Sequence, residues 1–174
     1  MALPKINIVR KDKLLAGYNG NLESVIVYDK KGTGQVPVQV SNGVFVVIEG
    51  VIEGQREVKK AYLATETDKA EDILFIHNSE VMYDERLYKL EDFVIPAGKV
   101  ARAYRLYDGD IVTLTADLFA GTVEVGDVLG AVSEGLIGGQ TDATGTKVAF
   151  DVIEDCGNEL HHTAKAFAVQ VKRN

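Results

Sequence analysis

Short runs of branched apolar residues, bounded by turns rich in glycine, recur along the chain from residue 22 onward. Val44–Ile48 and Ile73–Ile76 are continuously apolar, whereas the last run alternates Phe167, Val169 and Val171 with other residues. Such short runs favour strands, and an uninterrupted apolar run indicates a buried strand. No long amphipathic helical pattern interrupts them. The sequence therefore predicts an all-β fold, or β with a few short helical turns.

Two glycine–aspartate tetrads indicate how strands are joined. Gly109–Val112 and Gly126–Leu129 have the same order of residue types and begin 17 positions apart. Glycine accepts the positive φ that ends a turn, and aspartate can accept hydrogen bonds from nearby backbone N–H groups as the next strand begins. This rhythm is typical of a small barrel or sandwich. Ala116–Ala120, between the tetrads, is predicted to form a single helical turn.

Local turn signals suggest three further elements. Gln35–Val40 alternates valine with other residues, and Pro37 places this predicted strand at a sheet edge. Ser41–Gly43 contains Asn-Gly, a strong hairpin signal. Leu136–Gly145 is predicted to be a glycine-rich loop.

The first 17 residues have the pattern of an arm, followed by a single β-rich domain over residues 18–174. Pro4 disfavours an early helix, and isoleucines alternate with other residues after it. An arm of this kind either adds an edge strand to its own sheet or reaches onto a neighbour. Its apolar side chains are the candidate partner interface: Leu3, Ile6, Ile8, Leu14 and Leu15.

Charge and cysteine content narrow the classes of partner. The formal net charge is −7, and an acidic surface disfavours nucleic-acid binding because it repels phosphate. Cys156 is the single cysteine, so no intrachain disulfide is expected. The longest apolar run, Val44–Ile48, is too short to span a bilayer, so no membrane association is expected.

No motif in the sequence predicts catalysis, a cofactor or a metal. His161 and His162 are adjacent, and neighbouring strand side chains point to opposite faces, which favours a turn over a shared metal. Asp108–Asp110 lacks the remaining ligands of a calcium loop. Ser79, two residues from His77, is not on a nucleophile elbow. We therefore expect a structural or binding protein and not an enzyme.

One long stretch carries a family resemblance. The segment ILFIHNSEVMYDERLYKLEDFVIPAGKVARAYRLYDGDIVTLT, from Ile73, is followed by LFAGTVEVGDVL, and the chain opens with MALPKINIVRKDKLLAGY. These segments, and more loosely the final AKAFAVQV, resemble the head decoration (capsid cement) proteins of tailed bacteriophages that infect Gram-positive bacteria. Residues 30–56 match least clearly.

The resemblance implies a virion protein made in the host cytoplasm and located on the capsid surface. Its partner would be the major capsid protein, it would be a homo-oligomer with a trimer favoured, and it would stabilise the head without catalysis. The arm would contact the shell, and the segment around Met82, Tyr83 and Tyr88 is a second candidate contact, although packing of Met82 and Tyr83 in the protein's own core is the favoured explanation for those two residues.

Two other functions stay open at this point. The first is another virion part, such as a tail-tube or head–tail connector protein, since small β proteins serve there as well. The second is a β-barrel small-ligand binder or hydrolase whose site is assembled from residues distant in sequence.

Overall fold

The computed structural model describes residues 14–15, 22–81, 86, 89–139 and 144–174, and their fold is all-β, as predicted. The described residues form these strands, β1 to β11 in chain order: Leu14–Leu15, Leu22–Tyr28, Phe45–Val51, Val58–Leu63, Ile73–Ile76, Ala101–Tyr104, Ile111–Thr115, Val128–Ser133, Leu136–Gly139, Val148–Asp155 and Ala166–Arg173. Three short 3₁₀ turns cover Glu66–Asp68, Leu90–Asp92 and Ala116–Leu118. The last of these is the helical turn that the sequence predicts.

Five of the strands close into a barrel in the order β2-β4-β3-β5-β6. β2 pairs in parallel with β4 and antiparallel with β6, which completes the ring. The barrel interior holds small branched side chains from alternate positions, including Val25, Val27 and Val46. Because successive side chains of a strand point to opposite faces, the side chains at the intervening positions lie on the outside of the barrel.

The remaining strands form a six-stranded sheet in the order β1-β7-β11-β10-β8-β9. Every pair in this sheet is antiparallel. One face of the sheet covers the outside of the barrel, and the side chains between them form a second core.

The barrel and the sheet meet across a shared aromatic contact. Phe45 of β3 and Phe75 of β5 point outward from the barrel, and their ring centroids are 5.5 Å apart. Phe150 of β10 lies 4.9 Å from Phe45, and all three rings are fully buried. Since β3 and β5 contribute to a core on each face, their sequences must be continuously apolar, which is what the two apolar runs predict.

An ion-pair network also joins the barrel to the sheet. Asp72, just before β5, forms ion pairs with Arg105 and with Arg173 of β11, the latter at 2.7 Å. Arg105 also approaches Glu23 of β2 at 3.8 Å, and Glu23 pairs with Lys59 of β4 at 2.8 Å. The carboxylate of Asp72 is only 15% exposed, so this network ties strands from both parts at a place with little water.

The two tetrads, Gly109–Val112 and Gly126–Leu129, make equivalent turns. In both, the glycine has a positive φ, 88° and 98°, and the aspartate carboxylate accepts a hydrogen bond at 2.8 Å from the backbone N–H three residues earlier. The strands β7 and β8 begin directly afterwards. The predicted role of glycine and aspartate at these strand entries is confirmed.

Three local predictions are corrected by the structure. Gln35–Val40 is not a strand but an extended segment with isolated bridges to Tyr28 and Ile95, because Pro37 has no N–H to continue a ladder. The Asn-Gly turn does not close a hairpin: the buried Asn42 amide instead hydrogen-bonds the backbone of Asn78. The predicted loop after Leu136 begins with strand β9.

The predicted arm lies largely outside the described residues, as does the predicted domain boundary after residue 17. Within the arm, the backbone of Leu14–Leu15 pairs antiparallel with β7, Leu14 opposite Val112 and Leu15 opposite Ile111. These two residues therefore add an edge strand to the chain's own sheet, one of the two alternatives that the sequence leaves open.

Candidate binding surfaces

The five residues of the predicted partner interface fall into two groups. Leu3, Ile6 and Ile8 lie outside the described residues. Leu14 and Leu15 form β1 at one edge of the six-stranded sheet.

A groove of about 440 Å³, here named the acidic groove, lies where the barrel strands β2 and β4 end. Half-buried or small apolar side chains line it, and two exposed carboxylates flank them. The apolar lining residues are Pro37, Val38, Leu63 and Ala97, and the carboxylates are Asp29 and Glu134. None of the described residues that line this groove is basic.

Local hydrogen bonds fix Asp29 at one side of the acidic groove. Its Oδ1 atom accepts a hydrogen bond at 2.9 Å from the backbone N–H of Val36, and its own N–H donates to the Val36 carbonyl at 3.0 Å. The extended segment that replaces the predicted edge strand is thereby held against the end of β2. Asp29 is exposed and lines the groove.

A tight turn between β8 and β9 positions Glu134 at the other side. Glu134 and Gly135 both have positive φ, 51° and 77°, as in the two-residue hairpin turn that suits strand twist. Gly135 is buried against the barrel: its N–H donates to the Ala64 carbonyl at 2.9 Å, and its carbonyl accepts from the N–H of Phe45 at 2.7 Å. A Cβ at Gly135 would lie 2.7 Å from the Phe45 carbonyl oxygen, so glycine is required there.

A second cleft of about 460 Å³ lies along the β10–β11 hairpin. Its walls include Val123, Val125 and Phe167, and an exposed pair formed by Asp155 and Lys165 at 3.3 Å stands at its mouth. The backbone N–H of Gly157, and then Lys165, hold the pKa of Asp155 below its ordinary value. The cleft is therefore lined by this ion pair and by one further carboxylate, that of the exposed Glu124.

A buried tyrosine–aspartate pair supports the barrel wall beside the acidic groove. The Tyr62 hydroxyl donates to Asp68 Oδ1 at 3.1 Å, and Asp68 Oδ2 accepts from the N–H of Thr65 at 2.9 Å. Burial, followed by the charge of Asp68, raises the pKa of Tyr62 well above its ordinary value. Tyr62 is therefore a neutral hydrogen-bond donor, held in one orientation.

The three histidines lie at two separate places in the fold. His161 and His162 lie in the β10–β11 connection with ring centroids 4.4 Å apart, and His161 Nε2 lies 3.4 Å from Glu91. His77 is buried, its ring 6.4 Å from that of Tyr104. Within the described part of the chain, no three histidine, cysteine or acidic side chains are grouped so that they could hold a metal ion.

Both carboxylates of the turn at Asp108–Asp110 accept hydrogen bonds from the backbone. Asp108 Oδ1 accepts from the N–H of Arg173 at 3.0 Å, and Asp110 Oδ2 accepts from the N–H of Tyr107 at 2.8 Å. These bonds explain the acidic turn as the support of a strand entry.

Sequence reasoning did not find the acidic groove, because its walls come from four separated parts of the chain. The available signal was slight: Glu134-Gly135 is a two-residue hairpin turn with glutamate where asparagine or aspartate is usual.

No helix among the described residues is long and apolar enough to cross a bilayer. Comparison of the chain with protein-family models, with curated proteins and with solved structures finds no match.

Proposed function

We propose that this chain is a structural virion protein that binds the outer capsid surface of a tailed phage and stabilises the head, without catalysis. The observation that carries the proposal is the sequence resemblance of Ile73–Thr115 and Leu118–Leu129 to phage head decoration proteins. In the structure these segments contain β5, β6 and β7 and the entry to β8. The resemblance therefore falls on the strands where the barrel adjoins the sheet.

The construction of the body supports this role. Two cores share the strands β3 and β5, and the Asp72 network adds polar ties between the barrel and the sheet. A body built in this way resists separation of its two parts, as a protein that braces a pressurised shell requires. Many copies on a lattice add modest contacts into a strong total interaction.

The partner in this proposal is the major capsid protein, and the site of action is the capsid surface of the virion. The chain acts as a homo-oligomer, with a trimer favoured, since cement proteins often act at local threefold axes. The net charge of −7 supports a protein partner over the packaged DNA.

Immunogold labelling of purified source-phage particles, with antibody against this chain, tests the proposal. Even labelling over the heads is the expected result. Label confined to tails would overturn it in favour of a tail-tube or connector protein. An unlabelled virion would overturn any virion role and direct attention to the acidic groove, whose volume of about 440 Å³ is sufficient for a small ligand.

A further inference from the structure

We propose that the part of residues 1–13 around Ile6 and Ile8 of one copy occupies the acidic groove of a second copy. The contact is between copies of this chain, so it does not depend on capsid binding. It uses one segment as donor and one groove as acceptor, and both are present in every copy.

Charge complementarity is the first argument. Residues 1–13 carry four basic side chains (Lys5, Arg10, Lys11 and Lys13) and one acidic side chain, although the whole chain has a net charge of −7. The acidic groove has Asp29 and Glu134 at its sides, and neither forms an ion pair with another described residue. Residues 1–13 therefore have a net side-chain charge of +3, which is complementary to a groove with two available carboxylates.

The apolar pattern agrees with the charge. In an extended segment, Ile6 and Ile8 project from the same face, because side chains alternate along the backbone. The groove between the carboxylates is lined by Pro37, Val38 and Leu63, which are half-buried in the free chain. Ile6 and Ile8 pack against this apolar lining, and the basic side chains pair with the carboxylates at its sides.

The sheet order places donor and acceptor on opposite edges of the same body. β1 lies at one edge of the six-stranded sheet, and the turn with Glu134 precedes β9 at the other. Five strand spacings of about 4.8 Å separate these edges by roughly 24 Å, which takes about seven extended residues to cross. Within one copy, that crossing would use residues 7–13 and with them three of the four basic residues. When the acceptor is a second copy at the β1 edge, no part of the segment is used in crossing the sheet, and all four basic residues remain available to the groove.

Such a contact is heterologous, because the donor and acceptor surfaces differ. Heterologous contacts form closed rings when the rotation between copies closes and open filaments when it does not. A soluble ring of three copies satisfies every donor and every acceptor.

Sedimentation velocity of the purified full-length chain tests the proposal. The groove variant Asp29→Asn with Glu134→Gln removes both charges. The Oδ1 atom at residue 29 can still accept the hydrogen bond from the Val36 N–H. The arm variant Lys5→Glu with Arg10→Glu reverses two donor charges. We expect each variant to need about tenfold higher concentration than wild type to form trimers, as the loss of two exposed ion pairs allows. The control Glu53→Gln with Glu154→Gln changes the net charge as the groove variant does, at exposed positions outside the groove, and should associate like wild type.

Mixing the two variants distinguishes an arm that binds the groove of another copy from an arm that binds the groove of its own copy. The arm variant retains an intact groove and the groove variant retains an intact arm, so the mixture should form a complex of one copy of each that grows no further. A monomeric wild type, a groove variant that associates like the control, or a mixture without the two-chain complex would each overturn the proposal. These results are independent of head labelling, so the two proposals can fail separately.

Discussion

Replacing Phe150 with alanine should destabilise the barrel and the sheet together, although Phe150 belongs to the sheet alone. Its ring is fully buried and lies 4.9 Å from that of Phe45 on the barrel. Removing a buried phenylalanine side chain costs about 3–5 kcal/mol, from lost transfer free energy and from the cavity left behind. A typical domain has about 5–15 kcal/mol of total stability, so the loss is a large fraction of it.

Urea unfolding with two probes measures this effect. The chain has no tryptophan, and Tyr28, Tyr62 and Tyr104 lie on barrel strands, whereas none of the described strands of the six-stranded sheet contains a tyrosine. With the other four tyrosines (Tyr18, Tyr83, Tyr88 and Tyr107) replaced by phenylalanine in both proteins, tyrosine fluorescence reports the barrel, and far-ultraviolet circular dichroism reports both parts. At a slope of about 2 kcal/mol per molar urea, a loss of about 4 kcal/mol lowers the midpoint by about 2 M in both signals.

The control is Ile153→Ala, on the same strand but 40% exposed, which should shift the midpoint much less. Coupling is refuted if the tyrosine transition of Phe150→Ala stays at the wild-type urea concentration while circular dichroism shows earlier loss. That outcome would mean that the barrel and the sheet unfold as independent units and that the shared aromatic contact does not couple them.

Three further changes test other parts of the structure. Gly135→Ala should cost more than Gly145→Ala in urea unfolding, because both have positive φ, 77° and 80°, but only Gly135 would place a Cβ against backbone; equal losses would contradict this close approach. Tyr62→Phe should make stability less sensitive to alkali: the folded-state pKa is raised, so the unfolded chain loses this proton first, and the tyrosine's contribution falls as pH rises above about 10. Urea titrations from pH 8 to 11 measure that slope, and an unchanged slope would refute it. Asp72→Asn should lower stability by about 1–3 kcal/mol, since it leaves two guanidinium groups without their shared carboxylate, whereas the exposed Asp155→Asn should cost less in the same assay.

The sequence predicted two kinds of element: strands that are apolar on both faces, and turns whose hydrogen bonds join residues close together in the chain. Val44–Ile48 and Ile73–Ile76 are apolar on both faces because each strand serves two cores, so their burial was readable without knowing the partners. The tetrads at Gly109 and Gly126 were readable because the aspartate of each accepts a hydrogen bond from a backbone N–H only three residues earlier in the chain.

The sequence did not predict features that depend on distant partners. Asn42-Gly43 has the composition of a hairpin turn, but the Asn42 amide is held by Asn78, which is 36 positions away. Strand β9 has a loop-like composition because Gly138 must let the backbone of Ala120 approach: a Cβ there would lie 2.9 Å from the Ala120 carbonyl oxygen. The acidic groove was unpredictable for the same reason.

The position of β11 has a consequence for the time at which the protein can fold during synthesis. All five barrel strands have been made once residue 104 leaves the ribosome, so the barrel can close early. β11, by contrast, lies between β7 and β10 in the six-stranded sheet and is the last described strand to be made. Until Arg173 has emerged, the outward aromatic face of the barrel has no completed sheet to cover it. A nascent chain therefore carries an exposed apolar surface from the time that residue 104 has emerged until residue 173 has emerged, and chaperones that recognise such surfaces have their longest access in that interval.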